Sequence, residues 1–257
     1  MKVVILAGGR GTRLAELTEV VPKPMVSIGE WPILWHIMKH FGRYRLREFV
    51  ITLGYKGQVI KDFFLNYRFN QASVTVDIRS GTATLHDGGE AEDWIVHLVE
   101  TGASTGTGGR VFRLRSWLGD APFMLTYGDG VANVDLDRLL ATHRESGRLA
   151  TITAVRPPSR FGGLTVDGAV VREFIEKPQI GEGWVNGGFM VFEPGAFRYM
   201  NDRTDSLEKE VLERLAQDGQ LSVYCHDGFW QCMDTLRDRT LLEDLWQSAR
   251  APWKTWA

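Results

Sequence analysis

The chain has little sulfur chemistry to offer. Only two cysteines, Cys225 and Cys232, occur in 257 residues. They lie too far apart for a Cys-x-x-Cys motif and make no disulfide framework. A reducing compartment, the cytoplasm, is the expected location. Charge of one sign is equally scarce, because 30 Lys+Arg against 32 Asp+Glu leave a formal net charge of −2. Such a balance gives no general attraction to nucleic acid or to an anionic membrane surface. No apolar run approaches a membrane-spanning length. The run that follows Met1 is broken by glycines and arginines before it could serve as a signal peptide. His86 and His97, with Arg79 nearby, lack metal-ligand spacing and read as ordinary strand and loop positions. No convincing catalytic His or Cys constellation is visible. Repeats, low-complexity tracts and long linkers are also missing.

What is present is concentrated at the N-terminus, in Lys2-Val-Val-Ile-Leu-Ala-Gly-Gly-Arg-Gly-Thr-Arg-Leu14 and Pro22-Lys-Pro-Met25. Val3 to Leu6 is a short continuous apolar run rich in β-branched residues, suited to a strand buried on both faces of a mainly parallel sheet. The run ends in Gly8-Gly9-Arg10-Gly11, where the backbone can turn tightly and approach a ligand. Backbone N–H groups there can cradle an anion, and Arg13 and Lys23 add positive charge. The physical reading is a triphosphate site at the carboxyl end of the first strand. Two better-known glycine loops do not fit. A P-loop needs Gly-Lys-Ser/Thr, whereas Gly11 precedes Thr12-Arg13. The dinucleotide pattern starting at Gly9 would need glycine at position 14, which is Leu14.

Gly8-Gly-Arg-Gly-Thr-Arg-Leu14, running through Thr18 to Pro22-Lys-Pro-Met25, resembles the signature of the sugar-1-phosphate nucleotidyltransferases. The resemblance extends along essentially the whole chain, to Ala251-Pro-Trp-Lys-Thr-Trp256. It implies a nucleotide-diphospho-sugar transferase type of fold: α/β, with a Rossmann-like mixed, mainly parallel sheet flanked by helices. The expected organisation is one domain over 1–257. Its nucleotide-binding core covers about 1–155 and 193–250, and a small sugar-binding β subregion covers about 156–192.

The rest of the chain is read in that frame. Pro32 opens a helix bearing Ile33, Ile37, Met38 and Phe41, which Gly42 closes. Phe49–Leu53 is a second buried strand, followed by a helix marked by Val59, Ile60, Phe63, Phe64 and Tyr67. Strand, helix, strand, helix argues a right-handed parallel start. Ser73–Ile78 alternates and predicts a half-exposed strand, and 86–93 a surface loop or flap. Ile95–Val99 is a strand leading into Glu100-Thr-Gly-Ala-Ser-Thr-Gly-Thr-Gly-Gly-Arg110. That tract could be a linker, but a helix-like run (Val111, Leu114, Leu118) follows at once. A second ligand-contacting loop, using backbone and hydroxyl groups toward base and ribose, is the favoured reading.

Pro122–Tyr127 is another buried strand, and Gly128-Asp129-Gly130 stands at its end, where ligands of open α/β sheets bind. Asp-Gly is also a hairpin signal, weakened here by a helix that Asp135 caps. Leu149–Val155 is a strand, and 164–171 is a hairpin turning at Asp167-Gly168. Trp184–Phe192 is a strand with Asn186-Gly187 at its start. Asp205 with Glu208 marks a helix N-terminus, and Leu221–Tyr224 is the last strand. Asp234 stands at the start of a closing helix, where it could be a cap. Trp253 and Trp256 form an exposed-looking aromatic tail, a hint of subunit contact.

The resemblance assigns roles to these positions. It implies nucleotide contacts from Leu6, Ala7, Gly8, Gly9, Gly11, Thr12, Thr107, Gly108, Arg110 and Gly128. Sugar-phosphate contacts fall to Gly162, Glu176, Lys177, Asn186 and Gly187. Asp129 and Asp234 would be the carboxylates for Mg²⁺, a hard cation suited to carboxylate and phosphate oxygen. Arg13 and Lys23 are the catalytic cations. Thr-Gly…Thr-Gly-Gly-Arg is similar to the members that use CTP with glucose 1-phosphate. Members that use dTTP carry a Gln- and Pro-containing segment that is absent here. The implied partners are therefore CTP and glucose 1-phosphate, with a homo-oligomeric assembly. Glu100 departs from the shorter Asp of the pattern, and the acidic 90–93 replaces a more basic stretch. A silent nucleotide or sugar-phosphate sensor on the same fold, or another nucleotide or sugar partner, remains open. A glycosyltransferase would want Asp-x-Asp, which Gly128-Asp129-Gly130 is not.

Overall fold

A computed structural model of the chain describes residues 1–9, 11, 18–86, 91–157, 163–167, 170–175 and 183–256. The central sheet contains β1 (Lys2–Leu6), β2 (Glu48–Leu53), β3 (Ile95–Glu100) and β4 (Phe123–Tyr127). It also contains β5 (Ala150–Val155), β6 (Val185–Asn186), β7 (Met190–Phe192) and β8 (Leu221–His226). Strand β1 lies between β2 and β4 and is parallel to both, and β3 extends the sheet in parallel beyond β2. Antiparallel β7 joins β4 to β5, and β8 adds in parallel to the far edge of β5. The sheet is mixed and mainly parallel, as the fold reading expects.

Both faces of β1 are buried, which is why its residues are apolar without alternation. Val3 and Ile5 pack into one core layer with helix α1 (Ile33–Arg43), while Val4 and Leu6 pack into the other with Val111, Leu114 and Leu207. The chain leaves β1 to β2 on one side and meets β4 on the other. The carboxyl ends of β1 and β4 therefore flank a crevice of the kind in which open α/β sheets hold ligands.

Several local expectations change. Helix α1 runs through Gly42 to Arg43 rather than closing at the glycine, and Arg45 takes the positive φ of 62° in the turn that follows. Among the described residues Ser73–Asp77 pairs only with Thr82–His86, and its alternating Val74 and Val76 are exposed, as is Ile78 beyond it. No layer of the described residues covers that hairpin, and its apolar face is exposed. His86 belongs to the second hairpin strand, and Glu92 pairs with Lys39 at 2.8 Å while Asp93 pairs with Arg47. Residues 87–90 of the expected flap lie outside the described residues.

The strand read over Trp184–Phe192 is two strands. Gly188 (φ +75°) and Phe189 (φ +46°) break it between β6 and β7. Gly163–Asp167 and Val170–Ile175 form the expected hairpin, whose turn residues 168–169 lie outside the described set. Leu221 begins β8, which continues to His226 and is not the last strand: Trp230–Cys232 pairs with Gly130–Ala132. A strand therefore does follow Asp129-Gly130, but its partner lies 100 residues away rather than in a hairpin. Asp135 caps the helix Leu136–Ser146 as read, accepting from Arg138 N–H at 3.0 Å.

One cap differs from the reading, and one alternative reading falls away. Ser206, not Asp205, caps the segment from Leu207, accepting from Lys209 N–H at 3.0 Å. Thr235, not Asp234, caps the closing helix Leu236–Gln247, in a capping box with Asp238. The aromatic tail is not exposed either. Trp253 is 1% exposed and stacks on Phe229 and Trp246, and Trp256 meets the edge of Trp35. Both tryptophans serve the core of this chain.

Candidate active site

A cleft of about 430 Å³ opens at the carboxyl ends of β1 and β4. One wall is Leu6, Ala7, Gly8, Gly9 and Gly11; another is Thr105, Gly106, Thr107 and Arg110; the third is Tyr127, Gly128 and Asp129, with Lys23, Pro24 and Asp234 at the end. Eleven positions inferred from sequence thus meet in one place, drawn from five stretches of chain. Gly128 is tied directly to the first strand, its N–H donating to Leu6 O at 3.0 Å.

The glycine loop needs its glycines for definite reasons. A Cβ on Gly8 would lie 2.1 Å from the Arg110 guanidinium, and Gly11 takes a left-handed φ of +63°. Arg110 is 4% exposed. Its Nη1 donates to Leu53 O at 2.9 Å and Thr101 Oγ1 at 2.6 Å, and its Nη2 donates to Gly8 O at 2.9 Å. Burial, helped by nearby Arg113, moves its pKa below the ordinary arginine value. This guanidinium lines the cleft, and its three bonds brace the chain at the ends of β1, β2 and β3.

Lys23 sits in a short turn, Lys23–Met25, between Pro22 and Pro24, which restrict the backbone on both sides. It is 8% exposed, and its Nζ donates to Asp129 Oδ2 at 2.7 Å and Asp234 Oδ1 at 2.5 Å. Burial alone would lower the lysine pKa. The Asp129 charge and bond, joined by those of Asp234, outweigh it and raise the pKa above the ordinary value. The ammonium stays charged. Cys232, whose Sγ is 3.9 Å from Asp234 Oδ2, is pushed up to about 12 by burial and by the same carboxylates, so it stays a thiol. No group of three or more His, Cys, Asp or Glu able to hold a metal occurs among the described residues. The two carboxylates that share Lys23 are hard oxygen donors within reach of one position. That set fits a cation such as Mg²⁺, which takes one or two carboxylates and completes its shell with substrate phosphates and water.

Thr107 opens the helix Thr107–Arg113 at the cleft wall. Its hydroxyl donates to Glu208 Oε2 at 2.8 Å and accepts from Leu207 N–H at 2.9 Å, so it is engaged behind the wall rather than turned to a base or ribose. Gly108 does not line the cleft; its missing Cβ lets Thr204 and the 206–207 backbone pack close. Asn186 lies beside the cleft, donating to Tyr127 Oη at 3.3 Å and accepting from Gly188 N–H at 3.0 Å. Gly187 is a packing position against Val155, and its carbonyl accepts from Trp230 Nε1 at 2.8 Å. Thr12, Arg13, Gly162, Glu176 and Lys177 lie outside the described residues.

Sequence reasoning missed Tyr127 and Pro24 as cleft residues; Thr105 and Gly106 belong to the tract read as a second ligand-contacting loop but were given no individual role. Tyr127 had a signal, since it ends a buried strand immediately before Gly128-Asp129. Nothing local marks Glu208, which reaches the site from 81 residues away.

The chain matches the Nucleotidyl transferase family over residues 2–243. It is 47% identical to a glucose-1-phosphate cytidylyltransferase of Salmonella typhi, over 100% of both chains. It is 43% identical to a probable glucose-1-phosphate cytidylyltransferase of Bacillus subtilis, again over 100% of both. Among solved structures, HddC from Yersinia pseudotuberculosis superposes with a TM-score of 0.70 at 22% identity, covering 95% of this chain and 99% of that one. This last likeness concerns the fold alone.

Proposed function

We propose that this chain, which belongs to the nucleotidyl transferase family, transfers the cytidylyl group of CTP to α-D-glucose 1-phosphate, giving CDP-glucose and pyrophosphate. The observation that carries the reading is end-to-end identity of 47% with a cytidylyltransferase named for that sugar phosphate. The cleft chemistry agrees with it. An attacking phosphate oxygen is already anionic at neutral pH, because a second phosphate pKa lies near 6. No general base is therefore required. What the protein must supply is alignment of two mutually repelling anions and neutralisation of charge on the α-phosphate and leaving pyrophosphate.

The loop from Gly8 to Gly11 offers backbone donors to the triphosphate, and buried Lys23 supplies a permanent positive charge beside it. Arg13 is proposed for the β- and γ-phosphates, and Lys177 with Glu176 and Gly162 for the sugar phosphate. Asn186 and Gly187 would complete the sugar side within the subregion 156–192. Members of this family generally work with a divalent metal; Asp129 and Asp234 would hold Mg²⁺, which would supply charge neutralisation on the phosphates. No helix among the described residues is long and apolar enough to cross a membrane. A cytoplasmic location and a homo-oligomeric assembly complete the proposal.

The test is pyrophosphate release with Mg²⁺ across CTP, dTTP, UTP, ATP and GTP against glucose 1-phosphate and other sugar 1-phosphates. Turnover confined to CTP with glucose 1-phosphate is the expected outcome. Turnover with another pair replaces the substrates, and nucleotide binding without any turnover makes the protein a sensor.

A further inference from the structure

Behind the cleft, one carboxylate gathers side chains from two other elements and from the cap of its own segment. Glu208 Oε1 accepts from Tyr127 Oη at 2.6 Å, and Glu208 Oε2 accepts from Thr107 Oγ1 at 2.8 Å and from Ser206 Oγ at 2.9 Å. Tyr127 Oη in turn accepts from Asn186 Nδ2. Three hydroxyl donors on two carboxylate oxygens make a charge-assisted, mutually polarising set. Burial alone would raise the Glu208 pKa, and the bonds from Tyr127, Thr107 and Ser206 outweigh it and bring it below the ordinary carboxylate value. Burial, then the Glu208 charge, raises the Tyr127 pKa, so the phenol keeps the proton it donates.

The backbone around Glu208 is unusual in a way that suits this placement. Leu207–Leu212 forms π-type turns, with Glu213 N–H bonding to Glu208 O, a five-residue step. Such widened turns recur at functional sites, where they re-aim side chains. Glu208 does not line the cleft, but Thr107 and Tyr127 do, from different walls. Tyr127 also precedes Asp129 by two residues and holds Asn186 on the side expected to take the sugar.

We infer that Glu208 is a positioning residue that locks the nucleotide wall at Thr107 to the sugar wall at Tyr127 and Asn186, so that the two substrates are aligned by one shared anchor. The inference deepens the proposed function and rests on the cleft being its substrate site. Glu208→Gln leaves a single acceptor oxygen for three hydroxyl donors and sets an NH₂ among them. Tyr127→Phe removes only the link toward Asn186. Thr107→Val removes the link toward the nucleotide wall and, with it, the acceptor of Leu207 N–H, which the melting temperature monitors.

The experiment measures KM for each substrate and kcat by pyrophosphate release. It also measures nucleotide binding without turnover by calorimetry, with melting temperatures as the control for folding. Tyr127→Phe raises KM for the sugar phosphate by about tenfold and leaves nucleotide KM within about twofold. Thr107→Val does the converse, and Glu208→Gln raises both, the size expected for losing one charge-assisted bond. In the double variant Tyr127→Phe with Glu208→Gln, sugar KM is no higher than in Glu208→Gln alone. Multiplying effects in that double variant, or wild-type KM values in Glu208→Gln, overturn the inference. If Glu208→Gln does not fold, the opposite KM splits of Tyr127→Phe and Thr107→Val decide it, and equal effects on both substrates sink it. If the wild type binds a nucleotide without turnover, the reaction fails as a reading while calorimetry still judges Glu208. An unchanged nucleotide Kd in both Glu208→Gln and Thr107→Val then counts against the anchor. A wild type that binds no nucleoside triphosphate overturns both.

Discussion

Lys23 Nζ lies 2.5 Å from Asp234 Oδ1, joining a turn near the N-terminus to a loop 211 residues later. Asp129 completes the group from the end of β4. The three charges form one unit, and the lysine owes its raised pKa to the two carboxylates.

Replacing the lysine removes the buried cation from that unit. Lys23→Ala is expected to abolish measurable turnover, a loss of at least the order of 10²–10³ in kcat for one positioned charge. The fold should remain, because the surrounding core layers do not involve the side chain. Circular dichroism and a rate assay test this together. Turnover near the wild-type level would remove Lys23 from the mechanism.

With Asp129 and Asp234 proposed to hold the divalent cation, the lysine ammonium would compete with it for the same two carboxylates. In the absence of substrate, Lys23→Met is expected to bind Mn²⁺ on the order of tenfold more tightly than the wild type, the effect of about 1.4 kcal/mol of relieved competition. Electron paramagnetic resonance of added Mn²⁺ reads the difference directly. Equal affinities would mean that the lysine moves away at no cost.

Gly8 and Arg110 test the brace under the phosphate loop. Gly8→Ala sets a methyl 2.1 Å from a guanidinium that is held by three hydrogen bonds. Either the loop or Arg110 must move. The expected result is a nucleotide KM raised on the order of tenfold or more, and a lower melting temperature, by about 1–3 kcal/mol of overpacking. Gly9→Ala, where nothing lies within 4 Å of the added carbon, serves as the contrast and should melt like the wild type.

Two buried histidines set an acid limit. His36 donates from Nε2 to Ile28 O at 2.9 Å and accepts at Nδ1 from Trp253 Nε1 at 3.4 Å, which defines a neutral ring. His40 bonds Val134 O and Thr255 Oγ1, each at 3.0 Å. Burial lowers both to about 4. Between pH 6.5 and 4 the unfolded chain therefore binds protons that the folded chain refuses. Stability is complete above about pH 6.5 and falls by up to about 1.4 kcal/mol per histidine per pH unit down to about pH 4. Urea midpoints measured from pH 7.5 to 4.5 should follow that slope, and His40→Asn should flatten it. Ring resonances titrating near pH 6.5 in the folded protein would refute it.

Strand and helix identity were largely legible because their causes are local. Val3–Leu6, Phe49–Leu53 and Pro122–Tyr127 are apolar runs without alternation, and such runs must be covered on both faces. The glycine loop and the strand-end Asp129 were legible for a similar reason, since a sheet of this kind places its ligand at the carboxyl ends of its strands. The errors arose where a neighbour distant in sequence decides the outcome. Ser73–Ile78 has the alternation of a half-buried strand, yet no layer among the described residues covers its apolar side. A local shift also occurred: Asp205 was read at a helix N-terminus, but the next residue, Ser206, is the one placed to receive a free N–H.

By itself the sequence determined a mainly parallel α/β sheet with a glycine loop after its first strand and Asp129 at the end of another, because residue type and short spacing suffice for that; Asp234 was singled out by the family resemblance. Only the tertiary structure decided how those residues are used. It set Lys23 between Asp129 and Asp234, turned Arg110 to the carbonyls of Gly8 and Leu53, and brought Glu208 behind Thr107 and Tyr127. These are contacts across 57 to 211 residues. Hydrogen-bond geometry at such separations depends on how the layers pack, which no local pattern encodes.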